Sequence, residues 1–178
     1  MTPASTLPPV VIDDARLQRL AAHGYRWLEG RVEHVRYRWL LPPDWVLASE
    51  LPARTRGGIV PLAGGGDRQG RATGALGFLA GANTSPLELV QRGASGKARI
   101  GSFSARPGSV AERVESHDGK MKVTTVHAFR AGGESFRFFV AAIGLAAGSA
   151  MEDALRTVGL GLSLFDEWSE RRRERLHG

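Results

Sequence analysis

A chain of 178 residues with 42% hydrophobic residues is long enough for one sizeable core without a disulfide or metal staple. It has no cysteine, which excludes a thiolate zinc site, an iron–sulfur cluster and a cysteine nucleophile. The net charge of +6 is concentrated in residues 57–106, where six basic groups face two acidic ones.

Arginine outnumbers lysine 21 to 3. Alongside so much alanine and glycine, this reflects coding composition before it reflects phosphate recognition, because net charge bears first on solubility and non-specific binding. The leader Met1-Thr2-Pro3-Ala4-Ser5-Thr6-Leu7-Pro8-Pro9 lacks the basic start and apolar run of a signal peptide. Residues 1–12 are therefore expected as a flexible Pro-rich leader and residues 13–178 as one domain. The expected location is cytoplasmic, and a periplasmic one requires that a signal peptide was removed. The longest apolar run, 138–147, is about half a membrane span.

A first helix is expected over 13–28, capped by Asp13 or Asp14, with Leu17, Leu20 and Ala21 on one side. From Val32 the period becomes two. Val35, Tyr37, Trp39 and Leu41 alternate with His34, Arg36, Arg38 and Leu40, as in a strand with one buried face, and Pro42-Pro43 stops it. A further strand is expected from Val46 to Leu51. Gly64 to Arg71 is expected as a mobile hairpin loop, followed by a strand over 73–81. Ser85-Pro86-Leu87-Glu88 opens a short helix, with proline at its first position and a capping-box spacing between Ser85 and Glu88. Strands are then expected over 97–104, 109–116, 121–130 and 134–143, with tight reversals at His117-Asp118-Gly119-Lys120 and Ala131-Gly132-Gly133. Met151, Leu155, Val158, Leu162 and Phe165 follow at helical spacing, so a long terminal helix is expected from Ser149. Its second apolar side would carry Leu160 and Leu164.

Chemistry is sparse. The histidines, His23, His34, His117, His127 and His177, do not show the helical spacing of a zinc protease. His117-Asp118 near Ser104, Ser109 or Ser116 could orient a hydroxyl nucleophile, but the same letters make a hairpin tip, and no Gly-x-Ser-x-Gly elbow accompanies them. Gly64 to Arg71 lacks the Gly-Lys-Ser/Thr ending of a P-loop. Glu33 and Asp44 have no evident partner. No catalytic residue, cofactor or metal is expected. Arg36 and Arg38 share the wet face of a strand, and Arg68, Arg71, Arg92, Lys97, Arg99 and Arg106 would extend a basic surface, so nucleic acid is the alternative partner.

Tyr37-Arg38-Trp39-Leu40-Leu41-Pro42-Pro43-Asp44-Trp45, the Ser85-Pro86-Leu87-Glu88 helix start, Phe136-Arg137-Phe138-Phe139-Val140 and the terminal helix together resemble the PsbP-like superfamily, including its bacterial DcrB-like branch, over about residues 32–168. The resemblance implies an α+β protein with a mainly antiparallel sheet, an N-terminal helix, a short middle helix and a long C-terminal helix, arranged as an α/β/α sandwich. It also implies a non-enzymatic accessory protein, because members mostly bind another protein and one bacterial branch is similar to secretion-effector chaperones. The expected function is thus a protein-binding or assembly module of a larger bacterial complex, with secretion as the expected setting. Its partner contacts are expected at Arg36, Arg38, Trp45, Arg68 and Arg71.

Overall fold

The architecture follows from where alternation holds and where glycine breaks it. The computed structural model describes residues 7–8, 10, 12–32, 35–43, 45–47, 60–66, 72–80, 83–105, 108–144, 148–166 and 174–176. Helix α1 (Asp14–Ala22) is capped by Asp13, whose side chain accepts from the Arg16 amide at 2.8 Å. It ends earlier than the expected 13–28, because Gly24 has φ +90°. Trp27 and Leu28 therefore belong to strand β1 (Arg26–Val32). This strand pairs antiparallel with β2 (Val35–Leu41) from Arg26 opposite Leu41 to Val32 opposite Val35.

Strands β3 (Trp45–Leu47), β4 (Val60–Gly66) and β5 (Ala72–Ala80) start a second sheet. Gly64, Gly65 and Gly66 are strand residues in β4 and not part of a loop; residues 67–71 and 48–51 lie outside the described residues. Helix α2 (Pro86–Gln91) has the expected Ser85 cap, with the Glu88 amide donating to the Ser85 hydroxyl at 3.2 Å, and Gly93 at φ +73° follows its end. Strands β6 (Arg99–Ala105), β7 (Gly108–His117), β8 (Lys120–Ala131) and β9 (Glu134–Gly144) complete a seven-stranded sheet in the order β3-β4-β5-β9-β8-β7-β6. Both anticipated reversals carry positive φ: Asp118 and Gly119 at +50° and +74°, Gly132 and Gly133 at +58° and +78°.

The terminal helix is shorter than its apolar spacing suggests. Helix α3 (Ser149–Leu160) ends at Gly161, and the chain continues as β10 (Ser163–Asp166), which pairs antiparallel with β2 in a three-stranded sheet ordered β1-β2-β10. Its N-cap is Gly148 at φ +140°, with no side-chain cap, so Ser149 and Glu152 form no capping box although they have its spacing. Leu162 and Leu164 are buried from beyond the helix, and Phe165 occupies the other side of β10. The protein is thus α+β with mainly antiparallel sheets.

One cluster joins the two sheets: Val35, Tyr37, Trp39, Leu41 and Leu164 from the small sheet meet Val123, Phe136, Phe138 and Val140 from the large one, with Leu155 and Val158 of α3. A smaller cluster on the opposite face of the large sheet packs Val90 of α2 against Ala111 and Val126. Leu7, in the region expected as a free leader, is itself 4% exposed, and its amide donates to the Ile100 carbonyl at 3.2 Å.

Glycine in β4 and β5 has a definite use. A Cβ on Gly65 would lie 2.3 Å from the Trp45 ring, and one on Gly74 would lie 2.0 Å from it and 2.4 Å from the Ala141 carbonyl. The two glycines therefore form a slot for the indole, which also packs against Trp39 with ring centroids 5.3 Å apart. Replacing Trp45 with alanine is expected to cost about 3–5 kcal/mol, and Gly74→Ala is expected to destabilise because its nearest neighbours include immovable backbone. Urea denaturation of the two variants checks both.

Candidate functional site

Polar groups gather beneath α3 and on the outside of the small sheet. Beneath α3, Glu112 of β7 is fully buried and meets Arg156, itself 4% exposed, through Nε at 3.0 Å to each carboxylate oxygen and through Nη2. The same Nη2 donates to the Pro8 carbonyl at 2.5 Å. Two further ion pairs hold the helix, Arg99 with Glu152 and Arg16 with Asp153. Arg99, expected on a basic surface, is therefore directed to α3 from β6.

His127 is also buried here, its Nε2 lying 2.8 Å from the Gly159 carbonyl. A carbonyl only accepts, so Nε2 carries the hydrogen. Burial pushes the imidazole pKa down to about 4, outweighing the opposite pull of that bond. Thr125 alongside has no hydrogen-bond partner for its hydroxyl, which a Cβ on Gly159 would approach to 2.1 Å. This cluster is closed by the helix and joined to it at several points, so what it does is anchor α3. The described residues hold no group of three His, Asp or Glu placed to bind a metal ion.

The anchor is acid-sensitive. His127 titrates near 4 folded and near 6.5 unfolded, so between these values the unfolded chain binds more protons. Its contribution is whole above pH 6.5 and falls as pH drops through the folded pKa, a loss of about 3 kcal/mol by pH 4. His127→Asn is expected to flatten that part of the stability profile, read as urea midpoints between these pH values.

The second place is open to solvent. Register puts Trp27, Glu29 and Arg31 of β1 opposite Leu40, Arg38 and Arg36 of β2, and Ser163 and Phe165 of β10 opposite Arg38 and Arg36. Alternation therefore brings an aromatic and charged row to the outer face, while Tyr37, Trp39 and Leu164 point inward. The Arg38 guanidinium lies 4.0 Å from the centre of the Trp27 ring, and that of Arg36 lies 4.5 Å from the centre of Phe165. Arg38 also approaches Glu29 at 3.5 Å. Each such cation–π contact contributes about 0.5–1 kcal/mol at an exposed site. Trp27 remains 43% exposed. Glu29, Gly30, Arg31 and Arg36 line an open depression of about 340 Å³.

Of the expected partner contacts, Arg36 and Arg38 come together on this face. Trp45 does not join them: it is 4% exposed and fills the Gly65–Gly74 slot, which makes it a core residue and not a contact. Arg68 and Arg71, with Arg106, Glu33, Asp44, His34 and His177, lie outside the described residues. Arg92 pairs with Glu88 on α2 and Lys97 is exposed near β6, so neither continues the strip in the small sheet. Trp27, Glu29, Arg31 and Phe165 were not anticipated. For Trp27, Glu29 and Arg31 the signal was an alternation in 26–32 whose start the helix assignment concealed, and Phe165 was read as part of the terminal helix. Asp118 and Gly119 form the reversal between His117 and Lys120, as hairpin chemistry predicts.

No protein-family model matches the chain, and no curated protein matches it. Among solved structures it is similar to the crystal structure of LpqN involved in cell envelope biogenesis of Mycobacterium tuberculosis, at 14% identity over 92% of this chain and 99% of that one, with a TM-score of 0.40. A likeness at that score carries no argument about fold or function.

Proposed function

We propose that the protein is a non-enzymatic binding or assembly module that engages another protein through the outer face of the β1-β2-β10 sheet. The observation that carries this is the row of Arg38 on Trp27 and Arg36 on Phe165 beside an open depression. Aromatic and arginine side chains held in fixed orientation are the residue types that dominate protein interfaces. A setting in a bacterial secretion complex, membership in the PsbP-like superfamily and an α/β/α sandwich arrangement belong to the same proposal. Support for the last comes from α2 and α3 packing against opposite faces of the large sheet. No helix among the described residues is long and apolar enough to cross a membrane.

Nucleic acid is the second reading, and one observation favours it: the sequence places only inward-facing aromatics on β2, whereas Trp27 and Phe165 stand beside the arginines. Bases stack on such rings within basic surfaces.

A photo-cross-linking residue in place of Trp27, introduced in the native cells, tests the two readings. The expected outcome is nuclease-resistant capture of protein subunits, lost when Arg36→Glu and Arg38→Glu are combined, and absent when the cross-linker replaces exposed Lys122. The double substitution removes two exposed cation–π contacts and should lower stability by no more than about 2 kcal/mol. Capture that disappears with nuclease would replace the protein reading with the nucleic-acid one.

A further inference from the structure

We infer that the cleft between β6 and α3 is an acceptor site for an extended peptide segment, and that Leu7–Pro8 occupies it in cis as a strap able to open while the rest of the fold stays intact. The site lies at the β6 end of the large sheet and stands independently of the reading of the small-sheet face. Strand β6 is the last strand of its sheet, and its occupant comes from the chain itself: the Leu7 amide donates to the Ile100 carbonyl at 3.2 Å. One residue later the Pro8 carbonyl accepts from Arg156 Nη2 on α3 at 2.5 Å. Two consecutive residues thus bridge a strand edge and a helix.

The cleft is shaped for a segment of this kind. Gly101 is buried, and a Cβ there would lie 3.0 Å from the Leu7 Cβ and 2.7 Å from the Phe103 ring, so Leu7 takes room that a side chain would fill. Leu7 is 4% exposed and joins the main core cluster with Leu155 and Val158 of α3. The polar wall does not depend on the strap. Glu112 orients Arg156 through Nε and Nη2, and Arg99 of β6 pairs with Glu152 one turn earlier on α3. The ligand must then supply an N–H for Ile100, an apolar side chain for the Gly101 seat and a carbonyl for Arg156. Proline suits the second position, because it favours an extended conformation in the residue before it.

Opening is local because little holds the segment. Among the described residues it is held by one buried leucine side chain and two hydrogen bonds, and the prolines at 8 and 9 can donate no further ladder bond. Strand β8, by contrast, is paired along both edges, with β7 and β9. Segments with few buried contacts open at free energies below that of global unfolding. In the open state Arg156 keeps Glu112 and exchanges the Pro8 carbonyl for water, and the seat can take the same segment from a second molecule.

The test uses the full chain, its Leu7→Asp variant and a peptide with the sequence of residues 1–12. In the native chain, hydrogen exchange is read at the Leu7 amide and at Val126 in β8. The Leu7 amide is expected to be protected, yet to exchange at least about tenfold faster than Val126 after correction for intrinsic rates. Exchange of both through one global opening, or an unprotected Leu7 amide, overturns the inference. Leu7→Asp puts a carboxylate into the apolar seat and is expected to expel the strap from a folded chain. A variant that does not fold overturns the inference, because a separable strap is not needed for the fold. The peptide is expected to bind the variant, to shift the resonances of Gly101, Phe103 and the Arg156 Nε–H, and to bind the native chain at least about tenfold more weakly, since only the open fraction can take a competitor. The same peptide with aspartate in place of its leucine is expected to bind neither. Equal affinity for the native chain and the variant, shifts confined to other residues, or no binding to the folded variant overturns the inference.

Discussion

The C-terminus of α3 is the constraint on which the arrangement of the two sheets depends. A helix leaves its last carbonyls without intrahelical donors. Here Trp39 of β2 donates its indole N–H to the Val158 carbonyl at 2.7 Å, and His127 of β8 donates to the next carbonyl, Gly159, at 2.8 Å. One donor belongs to the small sheet and the other to the large one. The helix end is therefore fixed to both, and Gly161, whose amide returns to the Thr157 carbonyl at 2.8 Å, releases the chain into β10. Without that stop Phe165 would continue along a helix and would not stand opposite Arg36.

The charged groups under α3 act on the same element from its other turns. A buried pair such as Glu112–Arg156 is weak evidence for net stability, because removing both ions from water offsets their attraction. Its effect is on position: a fork bound to one carboxylate and to the Pro8 carbonyl tolerates few orientations of the helix. Glycine supplies the remaining clearance, at Gly159 against Thr125 and at Gly144 against Met151. The last turn of the helix accepts the cost of Gly159 because the sheet approaches closely there.

Much of the large sheet was legible in the sequence because its signals are local. Asp118-Gly119 and Gly132-Gly133 supply the positive φ of two reversals, and Ser85 with Pro86 starts α2 where capping chemistry predicts. The small sheet was concealed at both ends. Leu162 and Phe165 fall at helical spacing from Val158, and only the Gly159 and Gly161 pair marks the break; Trp27 and Leu28 follow α1 so closely that the turn at Gly24 is easily read through. Glu112 and Arg156 resembled any solvated charges, since pairing across 44 residues leaves no local pattern. Trp45 was read as a partner contact, but its burial depends on Gly65, which read as a loop residue, and on Gly74 in the strand beyond it.

These errors share a cause that bears on the candidate site. A face assembled from β1, β2 and β10 draws on residues from Arg26 to Asp166, so no contiguous motif could announce it. Its rigidity comes from beneath, where Tyr37, Trp39 and Leu164 are packed in the main cluster and the Trp39 indole is tied to α3. Binding side chains carried on strands with buried alternate residues lose little freedom when a ligand arrives, because the backbone that aims them is already ordered. The inward residues of β2 thus fix the direction of the outward ones, and Arg36 and Arg38 owe their stacked geometry as much to Tyr37 and Trp39 as to the rings they cover.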